Sequence, residues 1–531
     1  MNSSSSSNLP PQHESESDLV TRDVRTSGRT PSIWTNFRFL GFLGFAIVFL
    51  VPAFFKMSFV TWLYSLLTFA EVILLFNILI IVHELGHFLA ARKCGLIVDK
   101  FAIWFGNPLW SKKADGVEYI LGSIPAGGYV ALPQMAPMEA IEGKSDTPRE
   151  ALPPASPWQK IVVAFAGPLF SFGLALVFAC LVWIVGKPVT DTEATTTIGY
   201  VLPDSPAGRA GLQAGDKILF IDGHPIKRFA GIGDSVMWRI VTSTAPTIPV
   251  EVERAGQTLD LQVSPETKPH AFWERSVPRK IGIAPAQEAL IVKKILPYSP
   301  VAAAGIVPGD RIVALNGATL YSDDPIYFTL KDHPFDPMRL TIVHQGTTRD
   351  VTVTPEKPVN PATMPKDVPP TDLGIDEWES GVRLVHQTPF EQVGESVQAV
   401  IGTLGALFAP HSTVGPSQLS GPLGIMNIFF AVLSGPDGWR LALWFAVVIN
   451  VNLAMLNLFP LPVLDGGHIL LSLIEWARRR PLSMQILEPL QTGCALLLIG
   501  YILYITFFDV QDSGKLAMSL GGDNQIRFAP K

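Results

Sequence analysis

Residues 72–88 read VILLFNILIIVHELGHF. Eleven residues, apolar except for Asn77, run straight into His83-Glu84-Leu85-Gly86-His87. A helix needs about 20 apolar residues to cross a bilayer, so this line predicts two imidazoles and a carboxylate at the end of a spanning helix. Ionisable groups are expensive there and mark function. Helical positions four apart lie on one face, one above the other, and that spacing suits His83 and His87 as two ligands of a tetrahedral zinc ion. Glu84 stands about 100° further round the helix. From there it is placed to act as general base toward water acidified by the metal, and then to return the proton to a leaving amine.

Such a site needs a third protein ligand. Glu71 lies twelve residues before His83, about 18 Å along the same helix, which is too far. Ala90 and Lys93 occupy the places where a longer zincin motif would carry glycine and histidine. The better source is residues 450–468, NVNLAMLNLFPLPVLDGGH. Pro460 and Pro462 stop a regular helix there, and Gly466 and Gly467 allow tight backbone. Irregular backbone at membrane depth is tolerated only where it is buried in protein or lines a wet cavity. Asp465 is therefore the expected third ligand, against an alternative role as cap of the following helix, with His468 in reserve. Asn452 and Asn457 are candidates for holding a substrate backbone, or for joining helices.

The rest of the chain agrees with a membrane protein. Of its 531 residues 48% are hydrophobic and 16% charged, against roughly 25% charged in an average soluble domain; mean hydropathy is +0.31. The net charge of -6 and the lack of a basic stripe exclude a nucleic-acid partner. Cys94, Cys180 and Cys494 show no CxxC spacing, which excludes a disulfide scaffold or thiolate zinc cage. Residues 1–37 form a Ser-rich polar tail expected to be disordered. Apolar runs at about 39–55, 60–90, 161–186, 440–464 and 486–508 make five candidate spans, the fourth broken by prolines. Lys and Arg cluster before the first span, after the second and before the last (Arg478-Arg479-Arg480). The positive-inside rule puts those segments in the cytoplasm, and residues 187–389 and the C-terminus outside.

Residues 187–389 carry an internal repeat. LPDSPAGRAGLQAGDKILFIDG (202–223) aligns without gaps to LPYSPVAAAGIVPGDRIVALNG (296–317). Each copy reads as a short helix, a Gly-Asp turn, a strand and an Asp/Asn-Gly hairpin turn. The repeat resembles PDZ domains, which bind extended peptides by adding them to a sheet edge.

Taken together, HELGHFLAARKCG (83–95), GGYV (127–130), AGPLFSF (166–172), the tandem repeat and NLFPLPVLDGGH (457–468) resemble the site-2 protease family, in its bacterial RseP-like type, over about residues 60–510. The resemblance implies an intramembrane zinc metalloendopeptidase of a bacterial inner membrane. It implies zinc on His83, His87 and Asp465, and Glu84 as base. Asn457, with Asn452, and the Gly127-Gly128-Tyr129 strand of a membrane-associated hairpin would hold the substrate. The implied substrates are single-span membrane proteins, such as an anti-sigma factor or remnant signal peptides, with peptide C-termini or substrate ectodomains at the PDZ-like domains. The fold expected is a polytopic α-helical membrane protein with a soluble insert of two PDZ-like α+β domains. Its parts are an extra transmembrane helix (38–57), a membrane catalytic region (58–186), PDZ-like domains at 187–275 and 276–375, a linker with a membrane-surface helix (376–435), a second membrane region (436–510) and a C-terminal tail (511–531). Residues 1–57 and loop 131–157 depart from the family pattern. A transporter, which would show matched broken helices in two halves, is disfavoured by a single break and no membrane repeat.

Overall fold

The computed structural model describes residues 59–135, 152–266, 273–359, 369–409, 412, 414–520 and 527–529. The expected first span, at 39–55, and most of loop 131–157 lie outside these. The chain divides between Leu67 and Thr68. In the smaller, N-terminal unit the described part is Phe59–Leu67, a helical segment with mostly exposed side chains. Everything below concerns the larger unit.

Four described helices are long and apolar enough to cross a membrane: Phe59–Lys93 (α1), Pro157–Val185 (α2), Gly438–Asn457, and Gln485–Ser513 within a longer final helix. Helix α1 runs past the HELGH residues for two more turns and ends in Arg92 and Lys93. A four-stranded sheet follows it: β1 (Lys100–Phe105), β2 (Trp110–Ala114), β3 (Val117–Leu121) and β4 (Ile124–Ala131). Its order is β2-β3-β1-β4, so the GGYV segment is an edge strand rather than half of a two-stranded hairpin. Ala102 and Ile103 of β1 pair with Tyr129 and Gly128 of β4. Trp104 anchors the sheet to α1 by donating its indole N–H to Asn77, at 2.5 Å. Helix α2 opens on a capping box. Ser156 Oγ accepts from Gln159 N, Gln159 Oε1 accepts from Ser156 N, and Pro157 takes the first helical position, where its missing N–H costs nothing.

The insert builds two hydrophobic clusters. In the first, β7 (Lys217–Ile221) and its hairpin partner β8 (His224–Pro225) lie beside β9 (Ile248–Arg254) and β10 (Gln257–Val263). In the second, β13 (Arg311–Leu315), β14 (Ala318–Thr319), β15 (Met338–His344) and β16 (Thr347–Val353) repeat the same connectivity. Both hairpin turns, Asp222-Gly223 and Asn316-Gly317, have positive φ at each residue, the turn that suits strand twist. The aligned serines cap equivalent single-turn helices: Ser205 Oγ accepts from Gly208 N and Ser299 Oγ from Ala302 N. The aligned aspartates are buried, Asp216 against Arg254 and Asp310 against His344.

Each cluster closes with a late strand. β11 (Ile283–Pro285) pairs with β6 (Ile198–Val201), and β17 (Ile375–Trp378) with β12 (Val292–Ile295). The expected division at 275/276 therefore cuts the last strand off the first cluster, whose core includes Ile281. The Pro-rich stretch before it looks like a linker, but β6 needs a partner for its backbone. A short pair, β5 (Lys187–Thr190) with β18 (Val382–Val385), joins the two ends of the insert.

Past the insert, Pro389–Phe408 forms a helix, α3, with a Thr388/Glu391 capping box. It packs on α2 and on Gly438–Asn457, donating from Gln392 to the Ala179 carbonyl. Pro422–Leu433 (α4) and Gly438–Asn457 (α5) follow. The chain then breaks at 458–464, around the two prolines, and restarts as Asp465–Arg478 (α6). The final helix, Met484–Leu520 (α7), continues beyond the expected boundary at 510. Asp509, buried on α7, accepts from Arg275 and from the backbone N–H groups of Gly421 and Gly424. That contact fastens one end of the helix to α4 and to a segment of the insert.

Candidate metal centre

Three elements meet at the HELGH turns of α1. Gly86 allows the first approach: a Cβ there would lie 2.4 Å from the Ala166 carbonyl oxygen of α2. Gly167 allows the second, since a Cβ on it would sit 2.2 Å from His87 Nε2 and 2.9 Å from His83 Cε1. The flat backbone of α2 thus lies against both imidazoles. The third element is α6, which packs on α2 and is held there by Lys160–Glu475, an ion pair of 2.7 Å. Gly466 and Gly467 let its first turn fold onto the proline break; Cβ atoms there would lie 2.1 Å from the Leu458 oxygen and 1.9 Å from the Leu461 oxygen. Asp465 is the first residue of that turn.

This packing brings His83, His87 and Asp465 together, with one ligand atom from each within 4.8 Å of the others. His83 Nε2 lies 3.2 Å from Asp465 Oδ2 and His87 Nε2 3.4 Å from Asp465 Oδ1. The two Nε2 atoms are 3.2 Å apart. The far sides of both rings are engaged. His87 Nδ1–H donates to the Val163 carbonyl at 2.8 Å, which leaves a lone pair on Nε2 facing the group. His83 Nδ1 is 3.0 Å from Ser171 Oγ. Asp465 Oδ2 is buried without a hydrogen-bond partner. Two imidazole lone pairs and a carboxylate crowded around one point are the donor set that zinc takes in a catalytic site, with a fourth position left open.

Of the other candidates, Asn457 reaches the group; its Nδ2 is 3.2 Å from His83 Nε2. Asn452 stands five residues before Asn457 on α5, about 140° round the helix from it. His468 is buried and is not among the three clustered ligands. Gly128 of β4 passes beside the general-base candidate, as a Cβ there would lie 3.6 Å from Glu84 Cγ and 2.9 Å from the Ala102 oxygen. Gly127 has φ +77 and faces the Phe105 ring, which its Cβ would strike at 2.0 Å. Gly128 keeps the strand bare beside Glu84. Three contributors carried no assigned role in the sequence reading: Gly167, Ser171 and the Val163 carbonyl. The one signal for them is the polar and small residues of AGPLFSF inside an otherwise apolar span.

The profile of peptidase family M50 matches residues 71–500. This chain belongs to peptidase family M50, the site-2 proteases. Protease RseP of Yersinia pestis is 31% identical over 466 residues, covering 82% of this chain and 98% of that protein. Regulator of sigma-E protease RseP of Salmonella typhimurium is 31% identical over 470 residues, covering 82% and 98%. A Vibrio cholerae protein with zinc metalloprotease in its name is 29% identical over 447 residues, covering 79% and 93%. Like the family, the chain is a site-2-type, zinc-dependent metalloprotease.

Proposed function

We propose that the protein cleaves single-span membrane proteins within the bilayer, in regulated intramembrane proteolysis, and that His83, His87 and Asp465 hold its zinc. The observation that carries this reading is the cluster of three ligand atoms within 4.8 Å, with Glu84 beside an edge strand. Zinc bound at such a site would supply a Lewis acid and lower the pKa of bound water to about 7. The protein's own groups do the rest. Glu84 accepts a proton and delivers it to the departing amine nitrogen. Val163 and Ser171 fix the two rings. β4 takes an unwound substrate segment as an added strand, replacing the hydrogen bonds that the substrate helix gives up. Asn457 steadies that segment beside His83.

In this reading the two clusters of the insert are tandem PDZ-like domains outside the cytoplasm of a bacterial inner membrane, where they screen substrate ectodomains or bind a freshly cut C-terminus. Matched serine caps, buried aspartates and I′-type turns support a shared fold. The RseP names of the relatives suggest an anti-sigma factor as one substrate, and remnant signal peptides are a second class. The test uses the full chain in detergent, with bound zinc measured for wild type, His83→Ala, Asp465→Asn and Glu84→Gln beside cleavage of a synthetic single-span segment. Zinc near one per chain, lost in the first two variants and kept in the third, with cleavage by Glu84→Gln lower by about 10²–10⁴-fold, is the expected result. Full zinc in Asp465→Asn would remove that residue from the ligand set.

A further inference from the structure

The last described residues, Arg527–Ala529, do not hang from the end of α7. They lie on the second cluster of the insert. The Arg527 carbonyl accepts from the Val359 N–H at 2.8 Å. The Phe528 side chain is 8% exposed, a degree of burial that a free chain end does not reach. Its ring meets Gly374, where a Cβ would lie 3.2 Å from Phe528 Cε2. Gly374 has φ +87 and directly precedes β17.

The repeat supplies an internal control. Gly282 and Gly374 hold equivalent places, the first against Ser205 and the second against the aligned Ser299. Around Gly282 the nearest atoms all come from Ser205 and Leu202 of its own cluster, whereas around Gly374 the third is Phe528. The second cluster therefore has a face that receives an aromatic side chain from outside it. Residues 354–359 lie alongside, joined to Asp372 through Glu356. Thus a main-chain hydrogen bond and an aromatic ring both hold the tail, much as short peptides are held by main chain for affinity and by a pocket for side-chain choice.

We propose that the C-terminal segment around Phe528 is a built-in peptide ligand of the second cluster of the insert, so that this face is occupied in the resting protein and strapped to the end of the last membrane helix. Seven Cα steps separate Leu520 from Arg527, a reach of at most about 25 Å. So short a tether holds the tail at an effective concentration on the order of 1 mM. Any free peptide with an aromatic residue that fits the Phe528 position must compete with that. The inference concerns the contact alone and holds whether or not the protein cuts as proposed above.

The probe is a fluorescent peptide with the sequence of residues 521–531, GGDNQIRFAPK, titrated into three full-chain or near-full-chain proteins in detergent. These are wild type, Phe528→Asp and a chain ending at Leu520. The peptide is expected to bind both altered chains. Binding to wild type is expected at least about 10-fold weaker, because the tethered copy competes. A peptide with the Phe528→Ala change is expected to bind none of them. Phe528→Asp leaves every other residue in place and guards against loss of fold in the truncated chain. Failure of the peptide to bind either altered chain would overturn the proposal, as would equal binding to all three.

Discussion

Replacing Gly167 by alanine tests the packing behind the candidate metal centre. The added Cβ falls 2.2 Å from His87 Nε2, whereas ordinary contact begins at 3.4 Å. The ring must retreat by the difference, about 1.2 Å, or α2 must move away. A metal site holds its geometry to within about 0.5 Å, and the zinc–nitrogen bond is about 2.0–2.1 Å, so with the proposed ligand set His87 leaves ligand distance. Misplacement of a reacting group by about 1 Å costs about 10²-fold, or about 2.7 kcal/mol of barrier. Expected for Gly167→Ala are zinc well below that of wild type and kcat/KM for a single-span peptide lower by about 10²-fold. Gly173→Ala is the control. It lies on the same helix with nothing within 4 Å of its Cβ, and should keep zinc and activity while gaining a better helix former. The assay is metal analysis of both purified variants together with initial cleavage rates. Gly167→Ala with wild-type zinc and wild-type rates would refute the claim that α2 lies flat on the imidazoles for lack of a side chain.

Glu84→Gln should keep its zinc and lose about 10²–10⁴-fold in kcat, the usual worth of a general base; a loss below tenfold in single-turnover rate would assign the proton transfer to another group. Gly127→Ala combines a positive φ with a Cβ 2.0 Å from the Phe105 ring, so β4 must shift, and KM should rise more than kcat falls; unchanged steady-state kinetics would dissociate β4 from substrate. In the insert, burial and, secondarily, the adjacent Asp324 raise the Asp323 carboxyl above its ordinary 3.8. The folded state then binds the proton more tightly than the unfolded chain, so wild-type stability falls as pH rises through the interval above 3.8. Asp323→Asn should therefore unfold at a higher temperature than wild type at pH 7, with the gap closing as pH drops below 3.8; an equal gap at both pH values would count against burial as the cause.

Much of the membrane part was legible because chemistry and periodicity coincided. His83, Glu84 and His87 stand out as charges that an apolar helix has no other reason to carry. Pro460 and Pro462 announce the break that the structure places between α5 and α6. The repeat in the insert was legible for a different reason: its serine, glycine and aspartate positions recur without a gap, and each serves a turn or cap that tolerates few residues. What escaped depends on partners distant in sequence. Gly167 carries no signal of its own until α1 is laid across it. Asn452 and Asn457 look alike on paper, and only their angular positions on α5 separate them. The late strands β11 and β17 follow Pro-rich stretches, and nothing local says which edge they complete.

The open side of β4 has a cost that its position makes hard to avoid. Among the described residues the strand pairs with β1 alone, beside Ile80 and Glu84 of α1, and unpaired peptide groups in hydrocarbon cost several kcal/mol each. On the proposed reading, which sets β4 at membrane depth as the partner of the substrate, those groups must be hydrated before any guest arrives, and water must reach the depth of Glu84. Each hydrolysed bond consumes one water molecule. On that same reading, the hydration that makes the idle enzyme tolerable in lipid is also its reagent store, and a guest strand seating along β4 must expel nearly all of it while leaving one molecule behind at the carboxylate.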